Sequence, residues 1–505
     1  MIDSLLQSHS LDFSAIKFAD ASKRRVACFK SNTAQNEFAL VMTKPHDQGL
    51  RHWCYLRQPL ATANIIEVSD AILESILANW EKTQSAVDTI SQLSSINSSD
   101  NSIPTELSIA LVDSESNAVI KFVSATLVDA LRKGASDIHY EATPIELVVR
   151  YRIDGVLTSV AKLPSKEESD RVISRIKVLS NLDIAEKRIP QDGRLEVIFQ
   201  NRKIDVRVSV MPSIHGEDIV LRILDRNASQ GLKPALQLVD LGLPKTIVNS
   251  LISLCKKSHG MVLVTGPTGS GKTTTLYAAL TSTYDPGEKV VTIEDPVEYQ
   301  LSGILQVPVN EKKGLTFARG LRSILRHDPD RILVGEIRDH ETAKIAVQAS
   351  LTGHNVYSTV HANDAIDVLA RFRQHGVEDF EISSALNGIL SQRLVRLLCT
   401  KCSQPTSFEN NELKAFASKS THALTPMQPK GCEHCNQTGF SGRQLIAELI
   451  LVTPEFRQKL IEGGSNLDLN QISKNQGTRK LREQALELVC TGKTTIEEIN
   501  RVTQP

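Results

Sequence analysis

One stretch constrains this chain more than any other. MVLVT (261–265), a five-residue apolar run, is followed by Gly266-Pro267-Thr268-Gly269-Ser270-Gly271-Lys272-Thr273-Thr274 and then by the helix-forming run TLYAAL. Strand, glycine-rich loop and helix in that order match G-x-x-x-x-G-K-[ST]. The glycines let backbone N–H groups turn inward on phosphate oxygens, and the start of the next helix favours negative charge. Residues 266–274 are therefore expected to cradle a nucleotide, with Lys272 on the β- and γ-phosphates and the Thr273 hydroxyl on magnesium.

Around this loop, buried strands alternate with helical stretches, the pattern of an α/β domain with a mostly parallel sheet covered by helices. RILVGE ends in Gly335-Glu336, and KVVTIEDPVEY carries Glu294, Asp295 and Glu298 just past its strand. Ligands of open α/β sheets bind at that edge, so these acids are placed to face a γ-phosphate, orient magnesium or position the attacking water. Glu336 is the preferred water-activating residue; an isolated acid there would more ordinarily cap the following helix. TGHNVYSTVHANDA sets His354 and His361 on either side of another strand. Arg322 and Arg326, just before the Glu336 strand, and Arg207 and Arg222, in the preceding domain, are basic groups of the kind that stabilise phosphoryl transfer, although composition alone reads all four as surface charge.

At 505 residues the chain holds roughly three to four domains. The expected layout is a module at 1–90, a polar Ser/Asn-rich linker at 91–106, an α+β domain at 107–226, a second linker at 227–245, the phosphate-loop core at 246–398, a cysteine module at 399–440 and a helical region at 441–505. The 58 basic and 58 acidic residues cancel, giving no global field for nucleic acid or an anionic membrane. No stretch approaches the ~20 apolar residues of a membrane span, and the start lacks a secretory pattern, which places the chain in the cytosol. Of the eight cysteines, Cys399, Cys402, Cys432 and Cys435 form two C-x-x-C pairs with the spacing of a closed, structural zinc site. A redox pair, unrelated buried thiols or a nucleic-acid ribbon are the alternatives, the last disfavoured by the lack of dense basic and aromatic interleaving between the pairs.

Taken together, these motifs resemble the type II/type IV secretion ATPase superfamily from about residue 107 to the C-terminus. GASDIHYEA (134–142), YRIDGVL (151–157) and IPQDGR (189–194) look like its second N-terminal domain, EDPVEY like its aspartate box, ILVGEIRD like its Walker B strand and TGHNVYSTVHANDA like its histidine box. The tetracysteine, GFSGRQLIAEL and the closing helices are similar to its assembly branch, the type IV pilus extension and type II secretion ATPases. The resemblance implies a RecA-like core preceded by a smaller PAS-like α+β domain, with ATP, Mg2+ and Zn2+ as ligands. It also implies functional roles for Lys272, Thr273, Glu298, Glu336 and His361, with Arg207, Arg222, Arg322 and Arg326 reaching nucleotide phosphates. The expected assembly is a homohexamer at the cytoplasmic face of the inner membrane, engaging a platform protein and a cytoplasmic docking protein.

The first 90 residues match neither the usual docking domain nor cyclic-di-GMP-binding domains of the family. On that ground pilus extension is favoured slightly over type II secretion. A DNA-uptake or DNA-translocating ATPase is the alternative of another class, against which the zero net charge argues, and a nucleotide-binding scaffold with little turnover is disfavoured by the intact acids.

Overall fold

The computed structural model describes residues 9–83, 106–107, 117–224, 236–407, 411–418 and 425–503, apart from 14, 17, 32–37, 58–59, 61–62 and 201. The first linker expected from sequence, except Glu106, and residues 227–235 of the second lie outside them. The chain divides into two compact units, Met1–Ala228 and Ser229–Pro505.

In the first unit, β1 (His9–Leu11), β2 (Val26–Ser31), β3 (Phe38–Met42) and β4 (Asn64–Glu67) form a sheet in that order. Alternate residues of a strand face opposite sides, and here both sides are apolar. Val26, Cys28, Leu40 and Met42 pack with Cys54 and Leu60, whereas Ala27, Phe29, Ala39 and Val41 join the larger core of the unit.

The rest of that unit is a seven-stranded sheet of β5 (Glu106–Leu107), β6 (Asp137–Ala142), β7 (Leu147–Ile153), β8 (Val156–Leu163), β9 (Gln191–Phe199), β10 (Arg202–Ser213) and β11 (Gly216–Leu224), ordered β5-β9-β10-β11-β6-β7-β8. Helices Ala118–Arg132 and Lys166–Leu179 supply Phe122, Leu127, Val172 and Ile176 to its core. The first is capped by Asn117, whose side chain accepts from the N–H groups of Val119 and Ile120.

The second unit is built on a sheet of β12 (Gly260–Thr265), β13 (Val290–Glu294), β14 (Leu305–Pro308), β15 (Arg331–Val334), β16 (Asn355–Val360) and β17 (Leu386–Leu398). The small β18 (Gln404–Pro405) and β19 (Met427–Gln428) pair separately, and β20 (Phe440–Leu451) returns to the main sheet. The order is β14-β13-β15-β16-β12-β17-β20, parallel throughout except for antiparallel β20 at the edge. β12, β13, β15 and β16 are buried at every residue, as strands covered on both faces must be. Each fully buried Val, Ile or Leu adds about 1.5–3 kcal/mol of apolar stabilisation.

This topology sets the site. β15, β16 and β12 are neighbours and parallel, so Glu336, His361 and the phosphate loop all emerge at one edge. The strand that ends in Glu294 and leads to Glu298 lies three places from β12, roughly 14 Å at ordinary strand spacing.

Candidate active site

The loop between β12 and helix Lys272–Ser282 needs its glycines. Gly266, Gly269 and Gly271 have φ of 148°, 78° and 85°, values that side chains disfavour. A Cβ on Gly266 would fall 2.5 Å from the Gln392 carbonyl. Gly271 caps the helix with no side chain to occupy the first N–H groups, which leaves those donors and the positive helix end for an anion. Lys272 Nζ donates to Gly266 O at 2.8 Å and Pro267 O at 3.1 Å. Burial lowers its pKa, with Glu336 opposing and Arg393 reinforcing. A phosphate would replace these two carbonyls as a stronger, charge-assisted acceptor.

Glu336 follows β15 through Gly335 and is only 14% exposed. It does not cap the next helix: Asp339 does, accepting from Thr342 N–H at 2.8 Å. The Glu336 carboxylate instead pairs with Arg338 and stands 3.6 Å from His361 Nε2. Burial lowers the His361 pKa, Lys272 lowers it further and Glu336 opposes. An open cleft of about 380 Å³ runs beside Gly266, Pro267, His361, Asn363, Asp367 and Arg371.

Other sequence candidates fall elsewhere. Glu294 faces no cleft; it is buried, bonded by the Tyr277 hydroxyl, by Thr292 Oγ1 at 2.5 Å and by Gln306 Nε2 at 3.2 Å. The reason is that Glu294 is the last residue of β13 itself, pointing into the sheet's packing. Glu298 is exposed in the loop beyond. His354 sits at the opposite end of β16 from His361, its Nδ1 3.0 Å from Ala349 O, and so lies away from the phosphate loop. Arg322 pairs with Glu341 at 2.5 Å, and Arg326 is exposed.

In the first unit Arg207 stands directly opposite Arg222 on β11 and Arg194 on β9. Like charges so placed repel. Asp137 compensates one end, bonding Arg222 Nε at 2.9 Å with Arg152 Nε 3.6 Å from its other oxygen. The row thus carries four arginines, Arg194, Arg207, Arg222 and Arg152, against the single carboxylate of Asp137. Sequence reading missed Arg194, Arg338 and Arg393; Arg194 and Arg338 stood inside motifs already singled out, whereas Arg393 lies 121 residues from Lys272 and only the β12–β17 pairing brings it near.

The cysteine pairs meet because β17 and β20 run antiparallel with Leu398 opposite Phe440, which sets both C-x-x-C turns at one end of the pair. The Cys399–Cys432, Cys402–Cys435 and Cys432–Cys435 sulfurs are 3.9, 3.8 and 3.7 Å apart, and all four lie within 4.8 Å of one another. A tetrahedral zinc with bonds of about 2.3 Å separates its sulfurs by about 3.8 Å. Burial pushes the Cys435 thiol up, but N–H donors from Cys432 and Gly439 outweigh it and bring the pKa to about 7. The four residues fit a structural zinc.

A family model described as type II/IV secretion system protein matches residues 112–501. The type II secretion system ATPase E of Vibrio cholerae is 47% identical over 395 residues, 78% of this chain and 77% of that protein. The putative type II secretion system protein E of Escherichia coli K12 is 48% identical over 384 residues, 76% of each chain. The type II secretion system protein HxcR of Pseudomonas aeruginosa is 44% identical over 472 residues, 92% of this chain and 95% of that one. Among solved structures, the Legionella pneumophila ATPase DotB shares the fold, with a TM-score of 0.54, 21% identity and coverage of 75% of this chain and 95% of that one. The chain belongs to the type II/IV secretion system protein family, and its enzymatic activity is the hydrolysis of ATP.

Proposed function

We propose that this ATPase powers type II protein secretion from the cytoplasmic face of the inner membrane. The observation that carries the reading is the match to HxcR, a protein named for type II secretion, along 92% of this chain. A match of that extent includes much of the first 90 residues, whose divergence was the sole ground for preferring pilus extension, and that preference gives way to secretion. Residues 1–90 serve as the docking module for a cytoplasmic partner, the ring is a homohexamer, and its work is delivered to an inner-membrane platform protein. Among the described residues no helix is long and apolar enough to cross a membrane, which suits attachment through partners.

In the proposed mechanism, residues 266–274 hold the triphosphate through backbone N–H groups and Lys272. The Thr273 hydroxyl would hold magnesium brought in with the nucleotide, which would supply charge neutralisation at the phosphates. Glu336 orients the attacking water, His361 fixes the Glu336 carboxylate, and Glu298 would help to hold magnesium. Arg322, once released from Glu341, and Arg326 would supply positive charge to the phosphates as the bond to the leaving group breaks. ATP binding then favours a closed arrangement of the protein, and loss of the γ-phosphate removes the contacts that hold it.

Host cells carrying only the Glu336→Gln chain should accumulate secretion substrates internally while keeping any surface filaments. Normal secretion with filaments absent would instead assign the motor to pilus extension.

A further inference from the structure

β17 brings two consecutive polar side chains to the place where β12 passes into the phosphate loop. Gln392 is fully buried, and its amide donates to Ser270 O at 2.7 Å. Arg393 donates through Nη1 to Gln392 O at 2.9 Å and through Nη2 to Asn363 O. A Cβ on Gly266 would fall 3.2 Å from the same Nη1. One guanidinium therefore spans from the first glycine of the phosphate loop to the residue two beyond His361.

A second fastening lies beside it. The Thr265 hydroxyl donates to Ala362 O at 3.0 Å and accepts from Ala362 N–H at 3.1 Å. Across the next strand, the Thr359 hydroxyl donates to Gly335 O at 2.7 Å and Ile337 N–H donates to Thr359 O at 3.0 Å, which holds the backbone on both sides of Glu336. The two residues after His361 are thus tied to separate strands, Ala362 to β12 and Asn363 to β17.

Burial disfavours a cation here, Asp364 and Glu448 oppose that only in part, and Lys272 stands close enough for the two positive charges to be felt. A structure that needed only packing would place an apolar residue at this point. The planar fork matters instead, since it can address two carbonyls in different directions at once, which an ammonium does poorly. We propose that Arg393 is a positioning residue for ATP hydrolysis, its guanidinium fixing the His361–Asn363 segment against the phosphate loop and thereby the alignment of His361 with Glu336. The inference rests on the reading of Glu336 as the group that orients water.

The test uses the full chain. Arg393→Lys should lower kcat tenfold or more while affinity for a fluorescent ATP analogue stays within threefold. Thr265→Val, which removes the neighbouring fastening, should show the same split and serves on its own if the Arg393 variant does not fold. Introduced into Glu336→Gln, Arg393→Lys should cost less than a further twofold, because the alignment it maintains is already lost. The inference is overturned if Arg393→Lys turns over within twofold of the wild type, if affinity falls as far as kcat, or if the full loss recurs in the Glu336→Gln background. A wild-type chain without ATP turnover would overturn the site reading itself, a result readable before any variant is made.

Discussion

Glu336 stands 3.6 Å from His361 and is ion-paired with Arg338. The carboxylate assigned to orient water thus has one partner whose charge depends on pH and one whose charge does not. Because Arg338 is more than half exposed whereas Glu336 is largely buried, the arginine is the member free to swing away when a γ-phosphate and its water arrive.

That pairing predicts the acid limb of the rate profile. Burial and Lys272 hold His361 below its ordinary pKa of 6.5, against the pull of Glu336. A depressed folded-state pKa means that the neutral ring is favoured, and its contribution is present above 6.5 and lost as pH falls through the lower folded value. Turnover should stay level down to pH 6.5 and decline below it, and His361→Asn should remove that inflection. An inflection above 6.5 in the wild type would contradict the assignment.

Lys272→Ala should reduce phosphate release by roughly a hundredfold or more, because among the described residues no other side chain is bonded as Lys272 is to the Gly266 and Pro267 carbonyls. Steady-state phosphate assays on the purified chain check this, and turnover within tenfold of wild type would exclude the lysine from phosphate binding.

The tetracysteine should hold about one zinc per chain, measurable by elemental analysis of protein purified without chelator. Its four thiolates fill the metal's coordination sphere, so removal should lower the melting temperature and loosen 399–440 rather than abolish nucleotide binding. Protein free of zinc and equally stable would refute the site.

Glu498 is the buried anchor of the C-terminal helices. Its side chain is fully buried and accepts from Arg396 Nη2 at 2.8 Å and Arg501 Nη2 at 2.7 Å. Burial opposes its ionisation, but the arginines outweigh this and hold the carboxyl below its ordinary 4.5. Its stabilisation is therefore present above 4.5 and lost as pH falls through the folded value. Glu498→Ala should cost about 3 kcal/mol in denaturant unfolding; a loss under 1 kcal/mol would show the pairs to be dispensable.

What could be read without coordinates was what is local in sequence. The phosphate loop, Gly335-Glu336 and the cysteine pairs each declare themselves within a few residues, since their chemistry demands fixed short spacings. Glu294 misled because one position decides whether a residue near a strand end enters the packing or the cleft, and boundaries are not visible at that precision. Arg393 depends on the pairing of β12 with β17 across more than a hundred residues, which leaves no local signal, whereas the opposition of Arg194, Arg207 and Arg222 depends on the register of two successive hairpins, which a shift of one residue would undo.

Everything proposed for the site depends on Glu336 directing water onto a nucleotide held by residues 266–274. Multiple-turnover phosphate release by the purified full chain, wild type beside Glu336→Gln, tests it most directly. The wild type should sustain release, and the variant should bind the fluorescent ATP analogue with comparable affinity yet turn over a hundredfold or more slowly. Equal turnover by the two would contradict it and assign the water to another carboxylate.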